Sequence, residues 1–302
     1  MKKFEGYKTK TNMFSYLGNK EFVKDDLLEI FEKQYSLNPS IDTYVEPFMG
    51  GIKSFISIHK SLLEKGVKKI VLNDYNSYIV EMWSCIKNNC EELVKVCHEI
   101  YPSVTRDNYK DRFYQLECLF NMIKDEKTYE SKILRSSLLI LTLRFSFNGF
   151  YGETKTKKLN MNVTTGYRDV YRVIESIKEH HEILKQFEIT FHNRDYKEVM
   201  DMYKNRKNVY MYIDSPYLKN NSNYITGGFG LEEQLKVCSY FKDLPNFCYS
   251  NVYREETKSF LLDRNYSLRT IKRSNRIGKK DERKKECNEI LLYGNYMNRY
   301  VS

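Results

Sequence analysis

At 302 residues and 36.3 kDa, the chain has room for one large domain or two modest ones, and for a core that needs no disulfide or metal staple. Its 41% hydrophobic and 30% charged residues, with only 13 Gly and 5 Pro, exclude a collagenous, mucin-like or mostly disordered chain. A net charge of +10 suggests a polyanionic partner, and the apolar run Leu138–Leu143, cut by Arg144, is far short of the roughly 20 residues of a membrane span.

The first dozen residues read as a polar arm. Met1-Lys2-Lys3 is charged like the start of a signal peptide, but Glu5, Lys8 and Lys10 follow in place of an apolar core, so a soluble cytoplasmic protein is expected. Thr43-Tyr44-Val45 is a short strand, and Gly50-Gly51 turns into a helix from about Ser54 to Glu64. Gly66 ends that helix, and Lys69–Leu72 forms the next strand. This strand–helix–strand unit opens a parallel α/β sheet.

From about Ser77 to Phe147 only helical periodicity is visible, as in Leu134, Leu138, Leu141 and Phe145. A polar loop, Asn148–Gly166, and a helix over Val170–Leu184 follow. The alternation then returns: strand Glu188–His192, helix through Met200, strand Val209–Ile213, helix Leu231–Phe241, strand Asn246–Ser250. Strands at Tyr266–Lys272 and Glu289–Tyr293 close the chain. The expected architecture is a doubly wound sheet with helices on both faces, built from residues 1–76 and 169–302 and interrupted by a helical insertion over 77–168. Between the last two strands, Arg269–Glu286 carries nine basic residues against three acids, a local surplus of +6. The seven cysteines contain no C-x-x-C pair, and their spacing matches no zinc template, so buried free thiols and no metal are expected.

Four segments can carry chemistry. Val45-Glu46-Pro47-Phe48-Met49-Gly50-Gly51 runs a strand into a glycine turn, the place where open α/β sheets bind ligands, though not with G-x-G-x-x-G spacing. Asn73-Asp74 follows the second strand, where a carboxylate can accept from both ribose hydroxyls. In Tyr210–Tyr217 an apolar strand delivers Asp214-Ser215-Pro216-Tyr217 to a loop. Methylating an exocyclic amine needs acceptors for its N–H groups and a flat surface for the base. Asp214 supplies one acceptor, the Ser215 carbonyl a second with Pro216 limiting the backbone, and Tyr217 the stacking face. Phe14–Lys20, read by itself, is a turn with a lysine.

Taken in order, Tyr16-Leu17-Gly18-Asn19-Lys20, Val45–Gly51, Asn73-Asp74, Arg194-Asp195-Tyr196 and Asp214–Tyr217 resemble the Dam-like, group-alpha DNA adenine-N6 methyltransferases over nearly the whole chain. Arg144–Phe150 and Asn162-Val163 are similar to segments of that family's recognition region. Asn251 falls at its S-N, and Lys279–Glu289 resembles its basic close. The resemblance implies a Rossmann-like methyltransferase sheet with a target-recognition insertion, and methyl transfer from S-adenosylmethionine to N6 of a flipped-out adenine in duplex DNA. It implies cofactor contacts from Tyr16, Lys20, Glu46, Phe48, Gly50, Asp74, Asp195, Tyr196 and Asp214, and catalysis by Asp214, Ser215, Pro216 and Tyr217. Arg144, Asn148, Phe150, Lys155, Lys157, Lys158, Arg273, Arg276, Lys279 and Lys280 would meet DNA. A bacterial or phage origin and a cognate restriction endonuclease as partner go with it; a membrane does not.

Two departures stand out. The family usually has two prolines after the Asp, and here the first is Ser215, which costs the loop stiffness. An arginine usual three residues after Asn-Gly is absent, Gly152 and Glu153 standing there, so GATC specificity is not implied. The competing readings are an RNA or protein-amide methyltransferase, and a DNA-binding homologue impaired in catalysis.

Overall fold

A computed structural model describes residues 23–147, 151–154, 156, 158–217, 229–253, 255–261, 265–274 and 286–294. Seven strands form one sheet: β1 (Thr43–Glu46), β2 (Lys69–Asn73), β3 (Glu188–His192), β4 (Val209–Ile213), β5 (Asn246–Val252), β6 (Tyr266–Ser274) and β7 (Glu286–Gly294). Their order is β3-β2-β1-β4-β5-β7-β6. β1 pairs in parallel with both β2 and β4, and β4 in parallel with β5. β7 returns antiparallel beside β5, with β6 antiparallel to β7. The fold is thus the expected mixed α/β sheet, with β7 running against its neighbours β5 and β6 at one side.

Packing divides the chain into two compact units. One comprises Gly50–Ile56 and Asn76–Asn193, the other Glu21–Met49, Ser57–Tyr75 and Arg194–Ser302. In the second unit, β1 and β4 are buried on both faces, as parallel strands under helices must be. Period-two alternation sends Val45, Met211, Ile213, Phe247 and Tyr249 to one face. There they meet Val199 and Met200 of α8 (Tyr196–Tyr203) and Val237 and Cys238 of α9 (Leu231–Ser239). The opposite face carries Tyr44 and Tyr210, stacked across β1 and β4 at 6.0 Å, with Phe31 edge-on to Tyr210 at 5.2 Å. Phe31 belongs to α1 (Lys24–Leu37), a helix absent from the sequence reading although Leu27, Ile30, Phe31 and Gln34 form its buried stripe at helical spacing. α1 is fixed by Gln34, whose side-chain amide donates to the Phe247 carbonyl at 2.8 Å.

The first unit is mainly helical. α6 (Tyr129–Phe145), capped by Thr128, is buried almost all round, the signature of a central helix. α3 (Ser77–Asn88), α4 (Cys90–Ile100) and α5 (Tyr109–Ile123) pack on it. Its one buried cation, Arg135, makes a two-pronged contact with Glu81 at 2.9 and 2.7 Å. α7 (Tyr171–Leu184) joins the same unit, with His180 against Trp83 and His181 at the Ile86 carbonyl, 3.0 Å away. By packing, this unit reaches Asn193.

The expected polar loop after α6 contains a β-hairpin. Bridges join Ser146 to Val163 and Glu153 to Leu159, and Thr154 N–H reaches the Lys158 carbonyl at 2.8 Å. Asn121 of α5 completes the hairpin's free edge, donating to the Leu159 carbonyl at 3.0 Å and accepting from its N–H at 2.7 Å. Glu117 accepts from the Met161 N–H at 2.9 Å. Buried Tyr151, Leu159 and Met161 add an apolar attachment. Among the described residues no helix is long and apolar enough to cross a membrane. Cys85, Cys90, Cys97, Cys238 and Cys248 are buried free thiols as expected, whereas Cys118 is exposed.

Candidate active site

Asn73, the last residue of β2, organises the rim of the second unit. It is buried, and its amide N–H groups donate to the carbonyls of Pro47 at 2.9 Å and Arg194 at 3.1 Å. Its amide oxygen accepts from the Arg194 N–H at 3.0 Å, and its own carbonyl accepts from the Met49 N–H at 2.7 Å. One side chain thus ties together the loop after β1, the end of β2 and the loop entering α8. Asp74 follows it, half-buried. Asp195 caps α8, accepting from the Lys197 N–H at 2.9 Å, a local use of the carboxylate that leaves its second oxygen outside the cap. Gly50, in the other unit, has φ of +43°, a backbone conformation that a side chain disfavours.

Three rings border this rim. Phe48 lies 5.0 Å from Tyr196 and 5.8 Å from Phe229, and Tyr196 lies 5.8 Å from Phe229. Tyr196 is buried in the core, and its hydroxyl donates to Glu233 of α9 at 2.7 Å. Burial, reinforced by that carboxylate, pushes the Tyr196 hydroxyl far up. Burial opposes ionisation of Glu233, but the Tyr196 hydroxyl and the ammonium groups of Lys197 and Lys236 outweigh it and bring the carboxyl down to about 2. Glu46 is buried beneath the rim and accepts the Tyr44 hydroxyl.

At the end of β4, Asp214 is half-buried and Ser215 fully so. Asn251 of β5 donates to both the Ser215 carbonyl, at 3.1 Å, and the Ser215 hydroxyl oxygen, at 3.0 Å. Gln234 of α9 meets the same hydroxyl at 3.2–3.3 Å and also contacts the Tyr249 hydroxyl. Tyr217 donates its hydroxyl to both oxygens of Glu289, at 2.9 and 3.1 Å, and Ser250 donates to one of them at 3.0 Å. Glu289, on β7, is fully buried, so its charge rests on these hydroxyls and on its other neighbours. Serine and tyrosine two residues apart are therefore held by different strands.

The residues expected at DNA are spread more widely. Arg144, at the end of α6, donates to the Asp169 carbonyl at 3.2 Å, and its own carbonyl accepts from Arg168 at 3.0 Å. Burial, then the charge of Arg168, holds the Arg144 guanidinium below its ordinary value. Lys158 is exposed at the hairpin. Arg269, part of the basic segment, is committed inside the unit, bound to Asp26 at 2.5 Å and Glu29 at 2.8 Å on α1. Arg273 lies on β6 opposite Cys287. Tyr16, Lys20, Asn148, Phe150, Lys155, Lys157, Arg276, Lys279 and Lys280 lie outside the described residues. Among those described, no group of three or more His, Cys, Asp or Glu is placed to hold a metal ion.

Sequence reasoning assigned no role to Asn73, Phe229, Glu233, Gln234 or Glu289, and none to Asn251 beyond its matched position. Asn251 and Glu289 stood within segments resembling the family; Gln234 and Phe229 carried no local signal.

The model of the D12 class N6 adenine-specific DNA methyltransferases matches residues 16–284, and the chain belongs to that family. It is similar to the type II methyltransferase M1.LlaDCHI of Lactococcus lactis subsp. cremoris, 25% identical over 87% of this chain and 90% of that one. The type II methyltransferase M.CviBI of Paramecium bursaria Chlorella virus NC1A is 24% identical over 74% of this chain and 77% of its own. The DNA adenine methylase of Salmonella typhi is 24% identical over 68% and 69%. The chain is an adenine-specific DNA methyltransferase.

Proposed function

We propose that the carboxyl ends of β1 and β2 seat S-adenosylmethionine and that Asp214–Tyr217 receive the target adenine. The observation that carries this reading is the parallel pairing of β1 with both β2 and β4. It makes Asp74 and Asp214 leave the sheet on one edge, two strand spacings or roughly 10 Å apart. Ligands of open α/β sheets bind at that edge. The residues present suit the cofactor. Asp74 offers a carboxylate for ribose hydroxyls, Phe48, backed by the buried Tyr196, offers flat apolar surface for its adenine, and Asp195 offers an acceptor nearby. The backbone that presents them is held at Asn73.

S-adenosylmethionine supplies a methyl group on a positively charged sulfur. The chain's own part is alignment. Asp214 accepts one N–H of the exocyclic amine and the Ser215 carbonyl the other, which aims the nitrogen lone pair. The same two oxygens stabilise the positive charge that develops on nitrogen. Tyr217 stacks on the everted base, which leaves the duplex at a cost of a few kcal/mol. Residues 77–168 serve target recognition, with the hairpin anchored by Asn121 presenting Lys158 to the duplex. Lys155, Lys157, Arg276, Lys279 and Lys280 add phosphate contacts. Arg269 is left out of that set because Asp26 and Glu29 already neutralise it. The type II names of two relatives support a restriction-modification setting with a cognate endonuclease, in the cytoplasm of a bacterium or infected cell.

The test is transfer of tritium from labelled S-adenosylmethionine to duplex DNA or to total RNA, followed by mapping of N6-methyladenine in the DNA. Label in adenine of duplex DNA is expected. Label in RNA alone would overturn the reading, and cofactor binding without transfer to any DNA would mark a catalytically impaired homologue.

A further inference from the structure

Ser215 and its partners form a closed polar set beneath the reacting edge. Ser215, Asn251 and Gln234 are 1%, 3% and 1% exposed, so each hydrogen bond replaces one to water that is out of reach. Asn251 is fixed from its own strand: its amide oxygen accepts the Val252 N–H at 2.8 Å, which turns both amide hydrogens toward Ser215. The amide nitrogen donates to the Ser215 carbonyl at 3.1 Å and to the hydroxyl oxygen at 3.0 Å. Gln234 engages the hydroxyl from the opposite element.

The orientation of the Ser215 carbonyl depends on one torsion, ψ of Ser215. The following Pro216 already confines that residue to the extended region. Within that region, a single amide that grips both the carbonyl and the side chain of one residue selects one value. A carbonyl oxygen has two lone pairs, and Asn251 occupies one from the β5 side.

We propose that Asn251 is a positioning residue for methyl transfer. It fixes the Ser215 carbonyl so that the oxygen's second lone pair meets the target amine, and the Ser215 hydroxyl serves as its second handhold. The inference rests on the reading of Asp214–Tyr217 given above. It also accounts for serine at this position: a hydroxyl held at 3.0 Å replaces the stiffness a ring would bring.

The experiment uses the full chain with tritiated S-adenosylmethionine and adenine-unmethylated bacterial chromosomal DNA, and measures kcat, KM for DNA and cofactor affinity by calorimetry. Asn251→Ala should lower kcat by about 10- to 100-fold, the scale of a small misplacement of a reacting group, with cofactor Kd and KM for DNA within about threefold. Asn251→Asp keeps the volume but sets an anionic oxygen against the carbonyl, and should be as slow. Ser215→Ala should cost less, about three- to tenfold, because the carbonyl contact remains. The double variant Ser215→Ala, Asn251→Ala should be no slower than Asn251→Ala alone, since the hydroxyl acts through that amide. An Asn251→Asp enzyme with normal kcat overturns the proposal, as does a parallel loss of kcat, cofactor affinity and thermal stability. If Asn251→Ala does not fold, Asn251→Asp and Ser215→Ala decide. A wild-type chain that methylates no DNA overturns the loop reading itself and this inference with it. Active wild type with unaffected variants overturns the inference alone.

Discussion

The two strand ends that flank β1 solve the same problem with different materials. At the end of β2, Asn73 satisfies backbone groups of Pro47 and Arg194, so Asp74 is presented by a rim tied through main chain. At the end of β4, the loop is held through side chains: Ser215 by Asn251 and Gln234, and Tyr217 by the buried carboxylate of Glu289. The first arrangement preserves a shape whatever the neighbouring side chains are. The second depends on β5 and β7 being paired in register, Asn251 opposite Ile290 and Val252 opposite Glu289. In the proposed reading the first end faces the cofactor and needs only a fixed contour, whereas the second faces the reacting amine and needs individual oxygens aimed by buried hydrogen bonds.

Variants at the two ends should therefore fail differently. On the proposed reading, Asp214→Ala removes an acceptor of the reacting amine and should lower methyl transfer by on the order of 10² to 10³ while the melting temperature stays near that of the wild type. Normal turnover in that variant would mean the loop is misassigned. Asn73→Ala leaves three backbone groups without their partner and should cost about 3 kcal/mol of stability in urea unfolding. It should also weaken cofactor affinity, seen by calorimetry, because the two loops beside β2 lose their common tie. Unchanged cofactor affinity would separate Asn73 from the cofactor rim.

Glu289→Gln is nearly isosteric and sharpens the comparison from the other side. It exchanges the oxygen that Tyr217 does not share with Ser250 for an NH2 group, so the Tyr217 hydroxyl keeps one acceptor of its two and loses the charge that holds it. A fall in kcat of about tenfold with cofactor affinity intact is expected, a smaller loss than at Asp214 because Glu289 acts through Tyr217. Loss of cofactor affinity instead would contradict the division of labour between the strand ends. The smallest effect concerns Glu233, whose carboxyl is held at about 2 against an ordinary 4.5. A lowered folded-state value contributes stability that is complete above about pH 4.5 and disappears as pH falls toward 2. Glu233→Gln should flatten that part of the urea midpoint against pH, and an unchanged acid slope would show that Tyr196, Lys197 and Lys236 do not stabilise the ionised carboxyl.

Much of the rim was legible because it is built from short contiguous segments. Val45–Gly51, Asn73-Asp74 and Asp214–Tyr217 each follow an apolar strand, and strand ends in a parallel sheet share an edge. α1 escaped notice though its apolar spacing was present, since its stripe of Leu27, Ile30, Phe31 and Gln34 includes a polar residue used for a distant backbone carbonyl. The hairpin within Asn148–Gly166 was hidden for a related reason. Its polar composition reads as loop, and its ordering comes from Glu117 and Asn121 on α5.

Period, turn residues and the acid-x-proline-tyrosine order are properties of neighbouring residues, and from them alone the chain declares a parallel α/β sheet and the strand ends proposed to carry its chemistry. Which buried polar groups meet is a property of register. Asn251 reaches Ser215 from 36 positions away and Glu289 reaches Tyr217 from 72 away, and only the pairing of β4, β5 and β7 brings them within 3.1 Å. Hydrogen bonds act over a few ångströms whatever the distance along the chain, so the orientation of the Ser215 carbonyl and the Tyr217 ring belongs to the folded molecule.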